Sequence, residues 1–199
     1  MTKLIDYYFT PVSPFTYLGH DRFVAIAREA GATIAVKAIN LGDVFPVSGG
    51  LPLSKRAPQR QAYRLVELKR WSDYLYMPIN IQPKFFPVNG DLAAAWILAA
   101  QEQGLDQALA LTGAVGRAIW EQERDVAAES TLSDIAGEQG LDAAALGRRA
   151  ANAEVGTRYK ALTQEAIGRQ VFGAPTYVYR DELFWGQDRL DFLTRALAK

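Results

Sequence analysis

Strand-forming sequence is confined to the two ends of this 199-residue chain, and the long middle reads as helix. Residues 3–9, Lys-Leu-Ile-Asp-Tyr-Tyr-Phe, are rich in β-branched and aromatic side chains and stop at Thr10-Pro11. A helical pattern follows from Pro14 to about Ala30, with Phe15, Leu18, Phe23 and Ile26 at helical spacing and Gly31 placed to end it. Thr33 to Leu41 alternates as a second strand, and a right-handed crossover makes the two strands parallel. Six of the nine prolines, Pro46, Pro52, Pro58, Pro78, Pro83 and Pro87, then bracket one helical stretch from about Gln59 to Tyr76. From Asp91 to about Gly168 the pattern is helix after helix, alanine-rich and punctuated by Gly104, Gly113, Gly140 and Gly156. Strand signal returns at Thr176–Tyr179 and Leu183–Trp185, a hairpin around Arg180-Asp181-Glu182, and Gln187 to Ala198 has the period of a closing helix.

The order β-α-β, helices, β-β-α is that of an α/β, thioredoxin-like plan with a central all-helical insertion. Residues 1–60 and 170–199 are expected to form the thioredoxin-like domain and residues 61–169 the inserted helical domain.

Composition narrows the chemistry. The chain has no cysteine, which excludes disulfides, thiolate metal sites, protein thiol nucleophiles and any CxxC redox pair. No metal site is expected. Its 22 Lys+Arg balance 22 Asp+Glu, leaving no electrostatic footprint for nucleic acid or an anionic membrane. The acidic Asp6 arrives before any apolar signal region can form, and the longest apolar run, Leu92 to Ala100, is far short of the roughly 20 residues that cross a bilayer. A cytoplasmic protein with neither a nucleic-acid nor a membrane partner is the expectation.

Three short segments carry groups capable of chemistry. Ser13-Pro14-Phe15-Thr16-Tyr17 lies where the first strand gives way to the first helix. Ser13 as N-cap with Pro14 at N1 is a favoured helix start, and simple capping would account for it. The same hydroxyl, at a positive helix end, could instead donate to a bound anion. Gly173-Ala174-Pro175-Thr176 precedes the third strand. A trans proline suits a strand entrance, since only about 5–6% of X-Pro bonds are cis; a cis bond would leave the Ala174 N–H and C=O free to pair with another extended chain. In Trp185-Gly186-Gln187-Asp188-Arg189, Asp188 either complements the dipole of the last helix or pairs with a ligand ammonium while backbone N–H groups hold its carboxylate. An amino-acid head group fits both contacts.

In order, the first strand, Ser13-Pro14-Phe15-Thr16-Tyr17, the helical block, Phe172-Gly173-Ala174-Pro175-Thr176 and Trp185-Gly186-Gln187-Asp188-Arg189 resemble the 2-hydroxychromene-2-carboxylate isomerase family. That family is related to kappa-class glutathione transferases and, more distantly, to DsbA-type oxidoreductases. Tyr63, Arg70-Trp71 and Pro83-Lys84-Phe85-Phe86-Pro87 extend the resemblance over essentially the whole chain. The resemblance implies a DsbA-like fold, glutathione as cofactor, a small aromatic acid as substrate, and a homodimer. Ser13 looks like the catalytic serine, in the place of the first cysteine of CxxC, and Thr16 takes the place of the second. Ala174 and Pro175 match the cis-proline segment that pairs with the cysteinyl unit of glutathione. Trp185, Gly186, Gln187 and Asp188 match the stretch that holds its γ-glutamyl end. Ser54 and Lys55 match a ligand-contacting loop, and Phe86 falls where an aromatic side chain borders the substrate pocket, to which Phe45 and Phe85 are also assigned. There are two departures. Kappa-class relatives carry an asparagine where this chain reads Ser48-Gly49-Gly50, and some isomerases carry a lysine near Phe45.

The implied reaction is a cis-trans isomerisation of 2-hydroxychromene-2-carboxylate or a similar unsaturated aromatic acid, by reversible addition of a glutathione thiolate stabilised by Ser13. Lys55, Arg56, Arg60 and Lys84 could orient carboxylates, although surface solvation is the ordinary role for such residues; Phe85, Phe86, Tyr8 and Trp71 could line the pocket or simply pack. A kappa-like transferase or peroxidase, or a non-catalytic glutathione-binding module, would share these motifs. A serine hydrolase would not. The single histidine, His20, lies seven residues beyond Ser13 in the same helix, about 10 Å along its axis, and there is no GxSxG elbow.

Overall fold

The computed structural model describes residues 3–199, so Met1 and Thr2 of the expected first domain lie outside the described residues. The chain runs β1 (Leu4–Phe9), α1 (Pro14–Glu29), β2 (Thr33–Ala38), α2 (Leu41–Ser48), a 3-10 turn (Leu53–Lys55) and α3 (Pro58–Leu75). It continues through α4 (Asp91–Gln103), α5 (Leu105–Trp120), α6 (Glu129–Glu138), α7 (Ala143–Ala150) and α8 (Ala153–Gly168). It closes with β3 (Thr176–Tyr179), β4 (Glu182–Trp185), a 3-10 turn (Gln187–Arg189) and α9 (Leu190–Leu197). The sheet order is β2-β1-β3-β4, with β1 parallel to β2 and antiparallel to β3, and β3 antiparallel to β4. This is the thioredoxin-like plan expected from element order.

Strand alternation divides the core. Ile5, Tyr7, Phe9, Tyr177 and Tyr179 face one side with Phe23 of α1, and their cluster runs without a break into Leu98 of α4 and Val115 of α5. The Tyr7 ring stacks on Phe9 at 4.6 Å and on Tyr177 at 5.5 Å. Tyr8 and Val178 face the other side, against Val44 of α2 and Ala166 of α8.

The structure differs from the sequence reading in places. The second strand ends at Ala38, and Leu41–Ser48 is a helix with Pro46 inside it. Pro46 and Gly42 oppose helix formation, but the Asn40 side chain caps the Gly42 N–H at 2.7 Å and Val44 is buried. Gly104 and Gly140 do fall at helix ends, whereas Gly113 and Gly156 lie within α5 and α8. Gly113 lets α1 approach, since a Cβ there would stand 3.3 Å from the His20 ring; nothing in the structure explains Gly156. The hairpin turn is Arg180-Asp181, both at positive φ (50° and 64°), and the closing helix begins with a 3-10 turn.

Candidate functional site

Strand register gathers the expected site at one end of the sheet. Tyr8 pairs with Thr176, and Thr176 with Trp185, so the end of β1, the start of β3 and the end of β4 lie side by side. Ser13, the Ala174-Pro175 segment and the Gly186 turn are the chain's next residues at those strand ends. The fold alone brings them together.

Ser13 is the N-cap of α1, with Pro14 in its first turn. Its Oγ accepts the Thr16 N–H at 3.3 Å, a long bond that leaves the hydroxyl proton free. Capping and anion stabilisation are therefore compatible in one residue. Thr16 Oγ1 is buried in the same turn, without a hydrogen-bond partner among the described residues. An orphaned hydroxyl in the first turn of a helix is a cost that a bound anion would offset.

The Ala174-Pro175 bond is cis, contrary to the base-rate expectation for the isolated tetrapeptide and in line with the resemblance. Thr176 Oγ1 donates to Gly173 O at 2.7 Å and Pro175 O accepts the Gly186 N–H at 2.9 Å. Neither the N–H nor the C=O of Ala174 has a partner among the described residues.

Gly186 adopts φ 106°, a left-handed conformation that favours glycine, and Asp188 Oδ1 lies only 2.4 Å from where a Cβ would stand. Its N–H is already used by Pro175, which leaves the Gln187 and Asp188 N–H groups for a ligand. The Gln187 side chain is buried, where it accepts from Arg22, so Gln187 offers a ligand its backbone only. Gly19 of α1 makes room for it: a Cβ there would lie 2.7 Å from Gln187 Cβ. Asp188 pairs through Oδ2 with Arg189 at 2.6 Å, and among the described residues Oδ1 has no cation. Trp185 is 51% exposed and its ring lies across Gly173, whose Cβ would fall 2.4 Å from Nε1.

The remaining expected residues stand on the connections outside the sheet. Phe45 lies half-buried on α2, with the Arg56 guanidinium 5.9 Å from its ring. Ser54 and Lys55 are exposed on the 3-10 turn, and among the described residues their side chains have no partner. Phe85 is half-buried beneath Lys84, and Phe86 packs on Trp120 at 4.8 Å. This segment approaches the serine loop: a Cβ on Gly90 would meet Val12 at 2.9 Å. Trp71 packs beside Tyr74 and Arg22, and Tyr8 is buried on the far sheet face, donating to Glu165 at 2.5 Å. Tyr8 is thus a packing residue.

His20 is a buried packing residue too. Nε2 donates to Leu109 O at 2.9 Å and Nδ1 accepts from Tyr7 OH at 3.2 Å, a tautomer assigned from the carbonyl partner. Burial pushes its pKa down, against the Asp21 charge and the Leu109 bond, and keeps the ring neutral. Both nitrogens are engaged away from Ser13. One residue beside Phe86 was not singled out by the sequence: the Arg64 guanidinium lies 5.2 Å from the Phe86 ring and 5.8 Å from that of Trp120.

No group of three or more His, Cys, Asp or Glu among the described residues is arranged to hold a metal, and no described helix is long and apolar enough to cross a membrane. The DSBA-like thioredoxin domain family matches residues 4–198. The chain is 31% identical to 2-hydroxychromene-2-carboxylate isomerase of Sphingobium xenophagum over 194 residues, 97% of each protein. It is 30% identical to the protein of the same name from Pseudomonas putida, over 98% of this chain and 95% of that one. A solved 2-hydroxychromene-2-carboxylate isomerase superposes with a TM-score of 0.81 at 31% identity, over 98% of this chain and 94% of that one. The cytosolic disulfide reductase DsbM of Pseudomonas aeruginosa, solved with GSH, shares the fold at 18% identity and a TM-score of 0.68, over 98% of this chain and all (100%) of that one.

Proposed function

The chain belongs to the DSBA-like thioredoxin family and, within it, to the 2-hydroxychromene-2-carboxylate isomerase family, and we propose that it is a glutathione-dependent cis-trans isomerase of that aromatic acid or a close relative. The observation that carries the reading is the free Ser13 hydroxyl at the start of α1, set at the same sheet end as the unpaired Ala174 backbone, in a chain without cysteine.

The residues present fit glutathione. The Ala174 N–H and C=O can pair with the cysteinyl unit as one more extended strand. At the γ-glutamyl end, the Gln187 and Asp188 N–H groups can take a carboxylate and Asp188 Oδ1 an ammonium. Bound there, glutathione supplies a thiolate that adds to a conjugated carbon, converts the double bond to a rotatable single bond, and is expelled when the double bond re-forms.

Ser13 donates a hydrogen bond at the sulfur position and the α1 terminus adds its dipole. A free thiol has a pKa of about 8.5 and is only a few per cent ionised at neutral pH. Lowering it by about two units takes roughly 2.7 kcal/mol of preference for the anion. One charge-assisted hydrogen bond contributes about 1.5–3 kcal/mol and a partly buried helix terminus up to about 2. Together they suffice without a protein base, which agrees with a histidine locked in the core. Phe45, Phe85 and Phe86 would border the aromatic substrate, with Ser54 and Lys55 at the loop side of the pocket. A homodimer would have the exposed Tyr63, Val66 and Tyr74 of α3 to cover.

The test is turnover of 2-hydroxychromene-2-carboxylate by wild type and Ser13→Ala, with and without glutathione. Activity is expected to require glutathione and to fall about 10- to 100-fold in the variant, the loss of one charge-assisted hydrogen bond. The ultraviolet thiolate band of bound glutathione should weaken in parallel. Undiminished turnover without glutathione, or in Ser13→Ala, overturns the mechanism. Conjugation of an electrophilic aromatic without isomerisation would move the chain to the transferases.

A further inference from the structure

No acidic residue occurs between Asp43 and Glu67, while Lys55, Arg56, Arg60 and Arg64 fall within that stretch. The three arginines recur every fourth residue. Arg64 also shares the inward line of α3, four residues before Leu68, seven before Trp71 and eleven before Leu75. Leu68 on that line is fully buried, so a cation occupies a position that helical geometry assigns to the core. Arg64 is half-buried over the rings of Phe86 and Trp120, and among the described residues it makes no ion pair and no hydrogen bond. Trp120 Nε1, in the ring beneath it, is likewise buried without a partner. Arg56 is half-buried beside the Phe45 ring and spends only its Nε, on Leu51 O at 2.8 Å.

Neither position favours a charge. Burial first, and then the neighbouring Arg56, push the Arg64 guanidinium down to about 10. Burial and Arg60 act on Arg56 in the same direction. Cations at the start of α3 also oppose its dipole, and α3 has no acidic residue in its first turn. An arginine desolvated against aromatic rings, facing a second arginine and lacking a counter-ion, is a site arranged for a planar anion whose apolar body lies on those rings.

We propose that Arg64, with Arg56 beside it, receives the carboxylate of the aromatic substrate and fixes its ring against Phe86. This rests on the isomerase reading for the identity of the acid. It assigns the acid group to α3, remote in sequence from the residues at the sheet end that take glutathione. The requirement for a carboxylate thereby becomes a property of the aromatic wall rather than of the sulfur site.

The experiment is calorimetric titration of the intact protein with trans-2-hydroxycinnamate, its methyl ester and glutathione, for wild type, Arg64→Met and Arg64→Lys. Met keeps the stem over the rings without the charge; Lys keeps the charge and guards against a folding defect. Wild type is expected to bind the acid at least about tenfold more tightly than the ester. Arg64→Met should lose about tenfold or more for the acid, with ester and glutathione unchanged, and Arg64→Lys should retain more than Arg64→Met. In turnover the Met variant should raise KM with kcat nearly unchanged. The inference is overturned if wild type fails to bind the acid or to prefer it over the ester, if Arg64→Met binds the acid as wild type does, or if glutathione affinity falls instead. Absence of glutathione-dependent turnover in wild type sinks the isomerase reading, and the titrations still decide the role of Arg64.

Discussion

Lys37 and Arg169, on the α2 and α8 side of the sheet, are enclosed by acids. Lys37 Nζ pairs with Asp6 at 2.8 Å and with Glu165, whose carboxylate also accepts from Tyr8 OH. Arg169 reaches Asp6 at 3.4 Å and Asp181 at 2.9 Å, tying β1, β2, α8 and the hairpin turn together. The Arg56, Arg60 and Arg64 series has comparable cation density, no carboxylate, and aromatic rings where partners would be. Charges that serve the fold are neutralised where they are buried, because an unpaired one is too costly. A chain that leaves half-buried cations open breaks a local rule, and such breaks mark function.

The sharpest way to break this contrast is Lys37→Met. Lys37 and Asp6 are each only 15% exposed, so removing the cation strands a buried carboxylate. The expected cost is about 3–5 kcal/mol, read as a lower urea midpoint. KM for the aromatic acid should not move. A stable Lys37→Met protein would mean that Arg169 alone neutralises Asp6, and the two regions would differ less than the ion pairs suggest.

Acid separates the regions next. Burial raises the Glu165 carboxyl, but hydrogen bonds from Lys37 and Tyr8 and the Lys37 and Arg169 charges outweigh it and hold the group below its ordinary range. Its contribution to stability is therefore present above about pH 4.3 and is lost as pH falls through the lower folded-state value. His20 acts at higher pH. Its depressed folded-state pKa means that below about pH 6.5 the unfolded chain takes a proton that the native ring refuses, so stability declines as pH falls. Urea unfolding across pH should show two limbs, with His20→Gln flattening the upper and Lys37→Met the lower. Arg64, pushed down only to about 10, lies above this range and should leave no mark on either limb.

The same contrast explains what the sequence made legible. Strands, helix periods and terminal motifs were readable because β1, α1 and the Thr176–Trp185 hairpin follow their own side-chain patterns, and strand order then brings Ser13, Pro175 and Gly186 to one sheet end. The cis state of Ala174-Pro175 came only through the whole-chain resemblance, since a tetrapeptide carries no register. Helix α2 escaped because Gly42 and Pro46 argue against it, and its stability comes from the Asn40 cap and the burial of Val44. The burial of the Gln187 side chain against Arg22 has no signature in its own segment, because Arg22 lies on α1, far away in sequence. Arg56 precedes α3 and Arg60 lies in its first turn, whereas Arg64 lies further along the helix, where its chemistry is masked by the helix pattern. The acid-free run from Val44 to Val66, and an arginine on the Leu68, Trp71, Leu75 line, were the signals available for it.

Arg60 offers the smallest effect and the finest discrimination. It is exposed in the first turn of α3, where a cation opposes the helix dipole, and it stands four residues before Arg64. Arg60→Glu reverses the sign at the terminus, worth about 0.3–1 kcal/mol, and supplies an i,i+4 partner to Arg64 worth about 0.3–0.5 kcal/mol. Melting should rise by about 2–4 °C, the shift that 1 kcal/mol produces in a domain of this size. The new carboxylate would also compete with substrate for Arg64, so KM should rise in the same protein that melts higher, with the effect shrinking in added salt. A melting gain without a KM change would make the series an ordinary solvated helix face. A KM rise accompanying greater stability cannot come from general loosening of the fold, which would lower the melting temperature; it requires the arginine series to receive the anion.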